Sequence, residues 1–143
     1  MTKVTTDNLG AWVLKCNPKL TNLDVLLANG VRTWCVQENY RSALIAADQP
    51  VVLWITGPSG ATPQPGIWAT GHATGGTEYS PHGKLVMPLE LSFLRTPVPR
   101  EDIAGRLPDL EVIRQPHMAN PSFATSAEYA VLQTLGLLPS SQA

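Results

Sequence analysis

Apolar positions fall in short runs separated by glycine, proline and polar clusters, and their period changes along the chain. Ala11-Trp12-Val13-Leu14 is a continuous apolar run that ends at Asn17-Pro18, because the residue before a proline is pushed out of helical geometry. It predicts a first, buried strand. Residues 21–30 offer a polar cap at Thr21, apolar positions at Leu23, Leu26 and Leu27, and an Asn29-Gly30 pair suited to a left-handed terminus. That pattern predicts a helix of about two turns. Residues 32–36 are strand-like, and Ala43, Leu44, Ala46 and Ala47 favour a short helix within 39–47 before Asp48-Gln49-Pro50.

Residues 50–56 form the clearest strand, a β-branched apolar run stopped by Gly57-Pro58-Ser59-Gly60 and expected at the centre of a sheet. In 66–73, Ile67, Ala69, Gly71 and Ala73 alternate with Trp68, Thr70 and His72, which predicts a strand with two different faces. Residues 75–83 read as a polar loop. Over 84–96, Leu85, Met87, Leu89, Leu91 and Phe93 mark one side of a half-buried strand. Pro97-Val98-Pro99 starts a turn into a short helix, and residues 107–114 lead to a loop. Residues 122–136 are expected to close the chain as a helix, with Thr125 or Ser126 as cap, Glu128 answering in a capping box, and Tyr129, Leu132 and Leu135 on its apolar side.

Short strands interrupted by small helices, without a regular strand-helix-strand rhythm, favour an α+β fold built on a small mixed β-barrel with peripheral short helices. The length of 143 residues fits a single domain over 1–143, its core about residues 11–136. Charged residues are 15% of the chain, against a usual share of roughly 25%, and the net charge is −1, so no basic block announces nucleic acid. A local basic face remains compatible with that sum, which is blind to where cations sit after folding. Cys16 and Cys35 are too few for a disulfide framework and lack metal-site spacing, so no metal and no cofactor is expected. The polar first ten residues and the absence of any run near the ~18 apolar residues of a membrane span lead to the expectation of a soluble, cytoplasmic protein.

Catalysis would need a nucleophile beside a base, paired acids or metal ligands. His72, His82 and His117 are scattered; Glu78 and His82 share a loop without diagnostic spacing, and Cys35 beside Trp34 is expected to be a small buried thiol. Gly57-Pro58-Ser59-Gly60 lacks the Gly-Lys-Ser/Thr of a phosphate loop, and residues 71–76 fail the dinucleotide fingerprint. The four tryptophans, Trp12, Trp34, Trp54 and Trp68, all fall on predicted strands or their edges. They serve either as core or as an aromatic pocket in which indole faces sandwich a flat group.

The residues resemble those of EVE domains. Ala11-Trp12-Val13-Leu14-Lys15-Cys16-Asn17-Pro18 resembles their opening strand, Trp34 to Leu44 their tryptophan followed by an Asn-Tyr pair and a short helix, Asp48 with Val51 to Trp54 their Gly-Asp and next strand, and Gly66-Ile67-Trp68-Ala69-Thr70-Gly71 their Gly-Ile-x-Gly-like strand. The resemblance covers about residues 11–128. Ala47-Asp48-Gln49-Pro50 departs from the usual Lys-x-Gly-Asp turn, and Gln37-Glu38 stands where Gly-Val-Arg is expected.

The resemblance implies a PUA-like fold related to YTH domains, and a non-enzymatic module that recognises a modified base in DNA or RNA. It implies Trp34 as one wall of the base pocket, Asn39 and Tyr40 at its rim, and Trp54 or the loop carrying Tyr79 and His82 as a further wall. Arg32, Arg41, Lys84 and Arg114 are then candidate phosphate contacts. Asn39 has a second reading as the cap of the following helix. The same fold would also suit a sensor for a free nucleoside or another small heteroaromatic. An effector protein acting beside the chain would supply any downstream activity, and near-neutral charge leads to the expectation of shallow salt dependence.

Overall fold

The computed structural model describes residues 3–137; residues 1–2 and 138–143 of the expected domain lie outside them. The two apolar runs become neighbouring strands, β1 (Leu9–Cys16) and β3 (Pro50–Ile55), paired in parallel with Trp12 opposite Val51 and Cys16 opposite Ile55. The chain between them carries α1 (Leu23–Asn29), β2 (Thr33–Cys35) and a 3₁₀ turn at Ser42–Leu44. After β3 come β4 (Gly66–Ala73), β5 (Glu78–Tyr79), β6 (Leu85–Pro99), α2 (Arg100–Arg106), α3 (Glu111–Arg114), β7 (Ser122–Thr125) and α4 (Ser126–Gln133).

These strands form one sheet in the order β2-β6-β4-β3-β1-β7, with β5 also beside β6. The fold is α+β, a curled half-barrel sheet with short helices, compatible with the small PUA-like barrel expected. All pairings except β1 with β3 are antiparallel. Consequently β1, β3 and β6 run the same way and finish at one edge, where β4 and β7 begin.

Apolar side chains pack on both faces of the sheet, which is why β1 and β3 read as continuous hydrophobic runs. Trp12, Leu14, Val51, Leu53 and Ile55 belong to the first layer, joined by Leu23 and Leu26 of α1. Val13, Val52 and Trp54 belong to the second, with Ile103 of α2, Val112 of α3 and Leu132 of α4. Leu85, Met87, Leu89, Leu91 and Phe93 all pack against the first layer, as their alternation predicts.

In β4 the alternation fails once. The register with both neighbours shifts between Ile67 and Ala69, making Trp68 a bulge residue. Ile67 therefore joins the second layer, while Ala69 and Ala73 stay in the first. Gly66, at φ 141°, begins this strand, and a Cβ there would collide with the Val98 carbonyl oxygen.

Further elements differ from expectation. The segment 39–47 holds only a single 3₁₀ turn. The loop 75–83 contains β5, whose Glu78 and Tyr79 pair with Val86 and Leu85. Ser122–Thr125 is a strand, since Phe123 and Ala124 pair with Trp12 and Ala11. The helix follows it, with Thr125 as cap and Glu128 completing the capping box.

Arg41, expected at a phosphate, is instead 4% exposed and committed to an internal ion pair. Its Nη1 and Nη2 donate to Glu111 Oε1 and Oε2 at 2.6 and 2.8 Å, and Nη1 also donates to the Pro121 carbonyl at 3.2 Å. The guanidinium carbon sits 5.3 Å from the Phe123 ring centroid. The Glu111 carboxylate raises the Arg41 pKa above its ordinary value. This bidentate pair fastens the 3₁₀ turn to α3 and to the entry of β7.

Removing one member leaves a buried charge without its partner, so Arg41→Ala is expected to cost about 3 to 5 kcal/mol in urea unfolding. Arg41→Met with Glu111→Leu should recover most of that loss. A single variant as stable as the parent would show that the pair contributes nothing to holding these segments.

Candidate functional site

The structure separates the aromatic residues that the sequence groups. Trp34 is half-buried on β2, opposite Met87, and packs against the first layer. Tyr79 pairs with Leu85 on the other side of β6. Cross-strand partners share a face, so Trp34, Met87, Leu85 and Tyr79 project from the same side of this ribbon. The exposed Tyr79 Oη donates to Glu38 Oε1 at 3.0 Å, and the nearby carboxylate raises the phenol pKa.

Trp54 does not join them. It alternates with Leu53 and Ile55, which points it into the second layer, where it is 3% exposed. Asn39 is used by the backbone ahead of the 3₁₀ turn, whose cap residue is Arg41: its Oδ1 accepts from the backbone N–H of Arg41 at 2.8 Å and of Ser42 at 3.3 Å. Tyr40 Oη accepts from the Val4 N–H at 3.1 Å, tying the ring to the N-terminal segment. His82 and Lys84 are exposed beyond β5, where the Lys84 carbonyl accepts from the Ser80 N–H at 2.8 Å. Arg32 is exposed before β2, and Arg114 donates to Asp109 at 3.3 Å. None of the three clefts described below is lined by Trp34, Asn39, Tyr40, Tyr79 or His82.

One of those clefts is a groove of about 790 Å³ at the edge where β1, β3 and β6 end. Its lining comes from the segments that leave or enter the sheet there. Lys15 stands near the end of β1, with Asn17 and Lys19 after it; Trp54 stands near the end of β3, with Thr56 and Ser59 after it; Arg100 follows β6; Pro116, His117 and Met118 precede β7. The edge is tied together by backbone bonds, Thr56 N–H donating to the Cys16 carbonyl at 3.0 Å and Arg100 N–H to the Pro65 carbonyl at 2.9 Å.

Lys15, Lys19, Arg100 and His117 line this groove, and no aspartate or glutamate does. On a chain with net charge −1, Lys15, Lys19 and Arg100 make a local concentration of positive charge. Lys15 Nζ donates to the Pro116 carbonyl at 3.4 Å. Burial lowers the Lys15 pKa, Glu111 works against that shift, and Arg41 adds to it. Asn120 further fixes Lys15, accepting from its N–H at 2.8 Å and donating to its carbonyl at 3.1 Å. Spacing alone does not find this groove, because its residues come from four separated segments; the accessible signal is several lysines and arginines next to predicted strand ends.

Of the other two clefts, one of about 510 Å³ is lined by Asp109, Glu111 and Glu128 with Arg114, and is predominantly acidic. The third, of about 550 Å³, lies against α1 and Trp68. Among the described residues no group of three or more His, Cys, Asp or Glu side chains is arranged to hold a metal ion.

No family model and no curated protein matches the sequence. Solved structures resemble the fold. A Rhodopseudomonas palustris protein studied by NMR aligns with TM-score 0.67 and 14% identity over 90% of this chain and 93% of its own. A Leishmania major protein described as hypothetical gives TM-score 0.66 and 13% identity over 91% and 96%. A Pseudomonas syringae protein gives 0.64 and 13% over 87% and 98%. At such identities the likeness concerns the fold alone.

Cys35, expected to be a buried thiol, is exposed, whereas Cys16 is buried and its pKa is pushed up by that burial. A chromogenic disulfide reagent should therefore modify one thiol rapidly in the native protein, lost in Cys35→Ser, and the other only in urea. Equal rates for both would contradict the packing of β1.

Proposed function

We propose that this chain is a non-enzymatic reader of a modified base in DNA or RNA, and that it receives the nucleotide at the groove where β1, β3 and β6 end. The observation that carries this reading is the set of Lys15, Lys19, Arg100 and His117 in a groove without a lining carboxylate. Phosphate calls for such a set, and the rest of the chain, with more carboxylates than lysines and arginines, offers little attraction to nucleic acid in general. The resemblance to EVE domains supports the same reading.

The groove also suits a base. The Trp54 indole, although largely buried, borders it, and a T-shaped contact needs only the edge of such a ring. Asn17, Thr56 and Ser59 bring side chains that donate to or accept from a base edge. A methyl group added to the base gains about 0.8 kcal/mol where it is buried. The groove volume of about 790 Å³ falls within the usual small-ligand range of roughly 300–1,000 Å³, which favours a free nucleoside as the second reading.

The test is tryptophan fluorescence titration with short single strands carrying 5-methylcytosine, 5-hydroxymethylcytosine, N6-methyladenine or no modification, and with the corresponding nucleosides. One modified strand is expected to bind more tightly than the unmodified one, and Lys19→Ala with Arg100→Ala to weaken it about tenfold or more. The slope of log K against log salt should stay near about −2, from roughly 0.7 for each of the lysine and arginine contacts to a single strand. Equal affinity for strand and nucleoside would select the small-ligand reading. Failure of every probe would reject both readings, and loss of modification preference in Trp34→Ala would move the base to the Trp34–Tyr79 face.

Lys15 adds a pH signature. It is charged below its lowered pKa and neutral above it. Binding should therefore weaken as pH rises, before the ordinary lysine range is reached, and Lys15→Arg should remove that dependence. Unchanged affinity across this range in the parent protein would exclude Lys15 from the contact.

A further inference from the structure

The cleft against α1 continues the basic groove around the end of the sheet. The two share Pro18, Lys19, Thr62 and Pro63 as lining residues, so Lys19 stands at their junction. We infer that together they form one trench for two consecutive nucleotides of a single strand, the second base lying against Trp68 and the linking phosphate at Lys19. This deepens the reader proposal and rests on it.

Trp68 is equipped for such a contact. As the bulge residue of β4 it departs from the strand alternation, and it is half-buried beside the first layer. Its Nε1 donates to the Gln64 carbonyl at 2.7 Å, which fixes the plane of the ring before a ligand arrives. A ring held in this way loses little freedom when a base stacks on it.

The same cleft is also lined by accessible apolar side chains, Leu20 84% and Leu27 47% exposed. Charge sets where the linking phosphate lies. Asp24, in the first turn of α1, is the carboxylate that lines this cleft, whereas Lys19 faces both clefts. A phosphate is therefore attracted to the junction and repelled from the Asp24 end. A base paired within a duplex has its faces covered by its neighbours, so stacking on Trp68 selects an unpaired strand.

The experiment compares three probes for each modified base of the panel: the nucleoside monophosphate, dinucleotides with a neighbour on the 5′ or the 3′ side, and the same dinucleotides with an abasic neighbour. One of the two dinucleotides should bind about tenfold more tightly than the monophosphate, the low end of what stacking one base supplies. The abasic probe and Trp68→Ala should each abolish that gain while monophosphate affinity stays unchanged, and Trp68→Phe should retain most of it. Circular dichroism establishes that both variants are folded. Equal affinity of monophosphate and both dinucleotides, or a gain indifferent to Trp68, would overturn the trench while leaving the reader proposal intact. Absence of binding by every probe would overturn the reader proposal and the trench together.

Discussion

The parallel pairing of β1 with β3 governs the arrangement of the molecule. Two parallel neighbours cannot be joined by a hairpin, so the chain must travel from one end of the sheet back to the other between them. Residues 17–49 make that journey and deliver α1, β2 and the 3₁₀ turn on the way. The same pairing makes both strands finish at one edge, Cys16 beside Ile55. With β6 running in the same direction, three chain segments leave the sheet together and the approach to β7 enters among them. The basic groove is the space between these departures, and its shape follows from strand direction before any particular side chain is considered.

Charge is partitioned by a very short element. α3 is four residues long, yet Glu111 lines the acidic cleft and Val112 lines the basic groove. Glu111 is engaged by Arg41, and Lys15 feels both charges at its own site. The ion pair fastens α3, and its two charges act on Lys15 in opposite directions beneath the larger effect of burial. A low-dielectric interior makes each of these actions stronger than the same charge would exert in water.

Much of the fold is legible along the chain because β1, β3 and the first part of β6 carry strong patterns of burial. The capping box of Thr125 and Glu128 is equally plain. β5 and β7 are not, for different reasons. β5 is a two-residue exposed pairing with almost no apolar signature, whereas Ser122–Thr125 owes its conformation to β1, more than a hundred residues earlier. The bulge at Trp68 leaves an uninterrupted sequence alternation, so Ile67 changes face without local warning. At the site, tryptophans are easy to notice but their layer is decided by register, which separates Trp34 from Trp54. Arg41 looks like a surface cation until Glu111, 70 positions away, is placed against it. Asn39 shows a capping preference and a recognition chemistry with the same amide, and here the backbone uses it.

The segment between Thr56 and Pro65 has its ends pinned to the rest of the sheet edge, by the Cys16 carbonyl at one side and the Arg100 N–H at the other. Its exposed tip, Gly57 to Gly60, supplies a wall of the groove but no core side chain. Changing the length of such a closed loop is cheap, each doubling costing only about 0.6 kcal/mol in chain entropy. The scaffold thus separates the residues that hold the sheet together from those that shape the rim of the groove, and the rim can be exchanged without the sheet being refolded.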